Sequence, residues 1–166
     1  MKKYFPLLQN QPDLVYLDNA ATTQLPQVVI DRLDHYAKYE HANIHRGLYD
    51  LSAANTALYE ATRQVVKDFL AADDSYETIF NQGTTFGLNW AAVGLKHLLT
   101  DKDAILIGRD SHHSNIVPWQ QIAQETRAKL AFIPINDQGQ IDRTELARLL
   151  PEATVIALSH VSNVTG

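Results

Sequence analysis

The sequence predicts an α/β domain: a mainly parallel sheet flanked by helices. Two observations carry this. The runs Ala104-Ile105-Leu106-Ile107 and Thr154 to Leu158 show no clean apolar/polar alternation, as strands buried on both faces require. Around them, apolar residues recur at helical spacing, so that from Glu77 onward the rhythm is strand, loop, helix.

Taken in order, residues 1–15 read as an N-terminal arm, and Tyr16-Leu17-Asp18 as a short extended piece. Pro26 opens a helix at its first turn, where a missing N–H costs nothing, and Val28, Val29, Leu33, Tyr36 and Ala37 give it an apolar stripe. Residues 43–47 break that pattern. A longer helix carries Leu58, Ala61, Val65, Phe69 and Leu70. Glu77-Thr78-Ile79-Phe80 reads as a strand, and Phe86, Trp90, Val93 and Leu98 mark the helix after it. The buried run at 104–107 ends at Gly108; residues 116–128 follow as a helix and Leu130 to Ile133 as a strand. Asp142 and Glu145 have capping-box spacing ahead of Leu146, Leu149 and Leu150. Thr154 to Leu158 is the last buried strand. Val161 to Gly166 then follows with no closing helix, so the sequence reads as interrupted within a domain.

Composition narrows the function. With 45% hydrophobic and 20% charged residues, the chain has the balance of a soluble globular protein. A formal charge of −5 argues against nucleic-acid or anionic-membrane partners, which select basic surfaces. Met1-Lys2-Lys3-Tyr4-Phe5-Pro6 lacks the apolar stretch of a signal peptide, and no apolar run approaches the roughly 18 residues that span a bilayer. The expected location is cytoplasmic. Cysteine is absent, which removes disulfides, thiolate metal sites and a cysteine nucleophile from these residues.

Several polar segments could carry chemistry. Asn81-Gln82-Gly83-Thr84-Thr85 lies between a strand and a helix start, where a glycine and two hydroxyls beside free N–H groups suit a phosphate; the same residues also read as a βα turn with a threonine N-cap. Asp110 to Asn115 leaves the strand at 104–107, at the edge where open α/β sheets bind ligands. Adjacent His112 and His113 cannot both face one way, and no HExxH pattern accompanies them, so no metal site is expected. An imidazole there can stack on a planar ring, or the loop simply supplies Ser114 or Asn115 as a helix cap. Asn163 can donate into a site at the same edge or satisfy a turn. Ala20 and Ala21 leave room beside the backbone, and Arg46 can bind a carboxylate or phosphate or stand as a solvated charge. His35, His41 and His97, on predicted helices, receive no function.

Together these segments resemble the SufS-type cysteine desulfurases of the class V aminotransferase superfamily. The resemblance is carried by Tyr-Leu-Asp-Asn-Ala-Ala-Thr-Thr at 16–23, Asn-Ile-His-Arg-Gly at 43–47, Gly-Thr-Thr at 83–85, His-His-Ser-Asn-Ile-Val-Pro-Trp at 112–119 and His-Val-Ser-Asn-Val-Thr-Gly at 160–166, in family order. It implies that residues 16–166 are the N-terminal part of the large domain of the type I fold that binds pyridoxal 5′-phosphate (PLP). It also implies that Thr84 and Thr85 hold the cofactor phosphate. His112 would stack on the pyridine ring and assist proton transfer, and Asn163 would reach the phenolic oxygen and the substrate carboxylate. Ala20, Ala21 and His45 would lie near the substrate, L-cysteine. The implied reaction releases L-alanine and passes sulfur as a persulfide to an acceptor protein for iron–sulfur cluster assembly, in a homodimer.

Three family parts have no counterpart here: the Schiff-base lysine, the aspartate that pairs with the pyridine nitrogen, and the nucleophilic cysteine. Lys2, Lys3, Lys38, Lys67, Lys96, Lys102 and Lys129 match no such lysine position, so these residues alone are expected to be inactive. Ser111, Gln82 and Phe86 replace an acidic residue, an arginine and a glutamate common in the family, which bears on the sulfur acceptor. The alternatives are another class V enzyme, selenocysteine lyase or epimerase-like, and a non-catalytic remnant acting as a binding or dimerisation module.

Overall fold

Packing in the computed structural model, which describes residues 1–163, separates two units, Met1–Ile79 and Phe80–Gly166. In the first, a 3-10 turn at Lys2–Tyr4 leads into helix α1 (Pro6–Asn10), with Pro6 in the first turn where no N–H is needed. The expected arm is thus partly helical. Tyr16-Leu17-Asp18 joins no sheet; the Tyr16 hydroxyl instead donates to the carbonyls of Asp18 (3.2 Å) and Thr22 (2.6 Å), folding the segment into a turn.

Helix α2 (Gln27–His35) begins one residue later than the sequence suggests, because Pro26 is extended and serves as its N-cap. It runs on into a π turn at Tyr36–Glu40. Helix α3 (Asp50–Phe69) covers the predicted long helix, but its buried residues are Ser52 and Asn55, not the apolar stripe. Ser52 Oγ donates to the Asn43 carbonyl at 2.8 Å and Asn55 Nδ2 donates to that of Glu40, so the polar start of α3 fastens the loop before it. Leu58, Val65, Phe69 and Leu70 stay exposed.

The first unit ends without the strand expected at residues 77–80. Those residues pair with no strand among the described residues; the Thr78 hydroxyl and carbonyl bond back to Arg63 instead. Helix α4 (Thr84–Leu95) is followed by a 3-10 turn at Lys96–Leu98, then by strand β1 (Ala104–Gly108), helix α5 (Val117–Thr126), strand β2 (Lys129–Ile133), helix α6 (Arg143–Leu149) and strand β3 (Ala153–Ala157). The strands form one sheet in the order β2-β1-β3, both pairings parallel, with Ile107 opposite Phe132 on one side and Ala157 on the other.

Every residue of the central β1 is buried, as its unbroken apolar run requires. Ile105 and Ile107 pack with Ala92 of α4 and with Trp119, Ile122 and Ala123 of α5. Strand β3 departs from expectation: only Ala157 is buried, and Ile156 is 44% exposed, because β3 has a neighbour on one side only among the described residues. Asp142 caps α6 as the spacing predicts, accepting from the N–H groups of Thr144 (2.9 Å) and Glu145 (3.1 Å). The reciprocal half of the box is not made. Glu145 pairs with Arg148, and the Asp142 N–H donates to the Pro134 carbonyl. No described helix is long and apolar enough to cross a membrane.

At the amino end of the sheet, Asp103 accepts from the Thr100 hydroxyl (2.6 Å) and N–H (2.7 Å) and from the Thr154 hydroxyl (2.5 Å). Side-chain bonds from Thr100, then Thr154, then the Thr100 N–H hold its carboxyl below the ordinary aspartate value. A carboxyl depressed on folding adds stability above its unfolded value and loses it as pH falls through the folded one. Asp103→Asn is therefore expected to lower stability at neutral pH and to flatten the acid limb of the stability curve, as measured by urea denaturation across that range.

Candidate functional site

The residues with most chemical potential in the second unit lie around the carboxyl end of the sheet. Gly83 has φ +102° and ψ 172°, a conformation essentially reserved for glycine, and it forms the N-cap of α4 with no side-chain cap. The first helical bond runs from the Gly87 N–H to the Gly83 carbonyl at 3.0 Å. The N–H groups of Thr84, Thr85 and Phe86 are therefore left without helical acceptors. The Thr84 and Thr85 hydroxyls make no hydrogen bond among the described residues and are exposed, and a side chain at Gly83 would meet nothing within 4 Å. Donors, helix dipole and open space together fit an anion of phosphate size. Of the two readings open in the sequence, the threonine N-cap is excluded, because the cap is Gly83.

The loop after β1 holds His112. Its ring caps the 3-10 turn His113–Asn115: Nδ1 accepts from the Ser114 N–H at 3.1 Å and lies 2.9 Å from the Ser114 hydroxyl. His113 meets it edge-on with ring centroids 6.2 Å apart and ring planes inclined at 73°. Neither Ser114 nor Asn115 caps α5. That position is Ile116, and Asn115 Oδ1 instead accepts from the Trp119 indole at 3.2 Å. The 113–115 turn packs against α4.

Because β1 and β3 run parallel, with Ile107 opposite Ala157, the loops leaving Gly108 and Ala157 emerge at the same edge. Their approach depends on Gly108: a Cβ there would lie 3.2 Å from both Leu158 Cδ2 and Ser111 Oγ, and 3.0 Å from Asp110 Oδ1. Ser111 is 8% exposed and its hydroxyl has no partner among the described residues. Asn163 sits exposed in a turn of the loop after β3; Val164, Thr165 and Gly166 of the same motif lie outside the described residues. The structure thus brings the His112 and Asn163 loops to one edge.

The remaining candidates belong to the first unit. Ala20 and Ala21 are exposed in the turn closed by the Ala21 N–H on the Asp18 carbonyl at 3.2 Å. His45 adopts φ +68°, left-handed for a residue with a side chain. Its N–H donates to Thr56 Oγ1 at 2.9 Å, its Nε2 lies 3.6 Å from Glu60, and its ring meets Tyr59 edge-on at 5.7 Å. Arg63 anchors Glu60 from the other side at 3.2 Å. Arg46 is exposed. The supporting roles of Ser114, Thr56 and Glu60 were not visible in the sequence, since no local pattern links a side chain to a histidine across a loop.

Fold and site together define an α/β protein with a phosphate-suited helix N-terminus and a capped histidine beside the carboxyl edge of a parallel sheet. The chain belongs to the class-V aminotransferase family, whose model matches residues 15–166. It is 44% identical over its whole length to the cysteine desulfurase of Synechococcus elongatus, covering 27% of that protein, and 42% identical to a probable cysteine desulfurase of Vibrio cholerae, covering 42% of it. Among solved structures it resembles the apo cysteine desulfurase of Thermococcus onnurineus NA1 (TM-score 0.91, 36% identity, 99% of this chain and 40% of that one). It also resembles a C-DES mutant with glycine covalently linked to its PLP cofactor (TM-score 0.76, 25% identity, 98% and 41%). The chain spans well under half the length of these relatives.

Two substitutions check the local physics. Gly83→Ala is expected to cost about 1–3 kcal/mol, because alanine does not tolerate that backbone conformation. Ser111→Ala removes a buried hydroxyl that lacks a partner among the described residues and is expected to raise stability by about 1 kcal/mol. Chemical denaturation reads both.

Proposed function

We propose that this chain is the N-terminal part, residues 16–166, of the large domain of a SufS-type cysteine desulfurase. Such an enzyme converts L-cysteine to L-alanine with PLP and passes the sulfur as a persulfide to an acceptor protein for iron–sulfur cluster assembly. A cytoplasmic homodimer is part of the proposal. The observation that carries it is the uncapped start of α4, where glycine, free N–H groups and two unengaged hydroxyls meet. The names of the similar proteins support the choice of substrate.

In this reading Thr84, Thr85 and the N–H groups at 84–86 hold the cofactor phosphate, supplying neutral donors and the positive end of a helix dipole to a dianion. His112 covers the cofactor ring, and Asn163 donates to its phenolic oxygen and to the substrate carboxylate. Ala20, Ala21 and His45 serve the substrate side; small alanines leave room, and His45 offers an imidazole held by Glu60. When bound, PLP supplies an electron sink. Covalent anchoring of the cofactor and capture of sulfur need a lysine and a cysteine; these residues contain no cysteine, and in this reading none of their lysines stands at the family's lysine position.

Two measurements test this. PLP is expected to bind at least about 10-fold more tightly than pyridoxal, which lacks the phosphate, and Thr85→Ala is expected to erase most of that difference, a loss of about 1 kcal/mol or more. Equal binding of the two compounds, followed by absorbance titration, would contradict the phosphate assignment. Residues 1–166 with PLP and L-cysteine are expected to release no alanine catalytically; turnover would show that the missing groups are dispensable.

A further inference from the structure

Ser114 meets the His112 ring twice. Its backbone N–H donates to Nδ1 at 3.1 Å, and its hydroxyl lies 2.9 Å from the same nitrogen. An N–H cannot accept a hydrogen bond, so Nδ1 carries the lone pair and the proton of the neutral ring sits on Nε2. The hydroxyl is different, because it can donate to a bare nitrogen or accept from a protonated one.

We infer that Ser114 is a positioning residue for His112: its hydroxyl reverses its hydrogen bond when the ring gains a proton, so the imidazole keeps one orientation in both charge states. This rests on the reading above, in which His112 lies against the cofactor, and explains how a ring there changes charge without leaving its place. Without the hydroxyl, a protonated Nδ1–H would point at the Ser114 N–H, two donors facing each other with no acceptor.

The surroundings make Ser114 the responsive group. Helix α4, packed against the 113–115 turn, carries no ionisable side chain from Thr84 to Leu95. Helix α5 carries one, Glu125, engaged by Lys96 at 2.5 Å. On the loop itself, His113 faces His112 edge-on at 6.2 Å, and Asp110 lies near Gly108 and Ser111.

The test is NMR of the histidine-labelled protein without ligand, reading ring-nitrogen shifts and side-chain couplings at a higher pH where those shifts report a neutral ring and at a lower pH where they report a charged one. In the parent, His112 is expected to hold one rotamer at both pH values and the Nε2–H tautomer at the higher. Ser114→Ala should keep the single rotamer at the higher pH, where the backbone donor suffices, and show averaged couplings at the lower. Ser114→Thr should restore the parent behaviour. Amide resonances of residues 104–108 report that each variant is folded. A single rotamer in Ser114→Ala at both pH values, or an Nδ1–H tautomer in the parent at the higher, would overturn the inference. Such a failure leaves the cofactor reading intact, because that depends on the comparison of PLP with pyridoxal.

Discussion

Parallel pairing of β1 with both of its neighbours is the constraint on which the second unit depends. It makes the carboxyl ends of all three strands face one way, so the loops after Gly108 and Ala157 have no choice but to share an edge. It also requires a central strand that can be buried on every side, which Ala104 to Gly108 satisfies by carrying no polar side chain. Each fully buried isoleucine or leucine there contributes about 1.5–3 kcal/mol, enough to hold the edge loops on a firm base although their own residues are exposed.

Polar groups at that edge then divide into those spent on structure and those left over. Asn115 holds Trp119, Ser114 holds His112, and Asp103 at the opposite end ties β1 to β3. Left over among the described residues are the Thr84 and Thr85 hydroxyls, the first N–H groups of α4 and the outer nitrogen of His112. Unspent donors beside a glycine that admits close approach are what a phosphorylated, flat ligand needs, and a net acidic chain makes such a concentration of donors more telling.

Much of this unit was legible in the sequence, because its signals are local. A continuous apolar run marks β1, helical spacing marks α4 and α5, and Asp142 three residues before Glu145 marks the start of α6. What failed depended on neighbours. Residues 77–80 have the composition of a strand, yet a strand exists only where another backbone pairs with it, and here Thr78 bonds to Arg63. Thr154 to Leu158 looks as buried as β1, but burial is set by position in the sheet, and β3 has one partner among the described residues. Ser114 and Asn115 have the chemistry of helix caps and were claimed by His112 and Trp119 instead. In the first unit the apolar spacing of α3 was legible as helical, whereas the internal contacts made by its polar Ser52 and Asn55 had no signal in that spacing. The candidate residues themselves were found through a family resemblance; local physics alone left each with a structural alternative.

In the function proposed above, the start of α4 and the loops after β1 and β3 form one anion-directed site. Titrating PLP into isotopically labelled protein and following amide and side-chain resonances tests it most directly. The amides of Thr84, Thr85 and Phe86 are expected to move together with the His112 ring and the Asn163 side chain, along one saturation curve. Shifts confined to other surfaces, or an unresponsive α4 terminus at saturation, would contradict it.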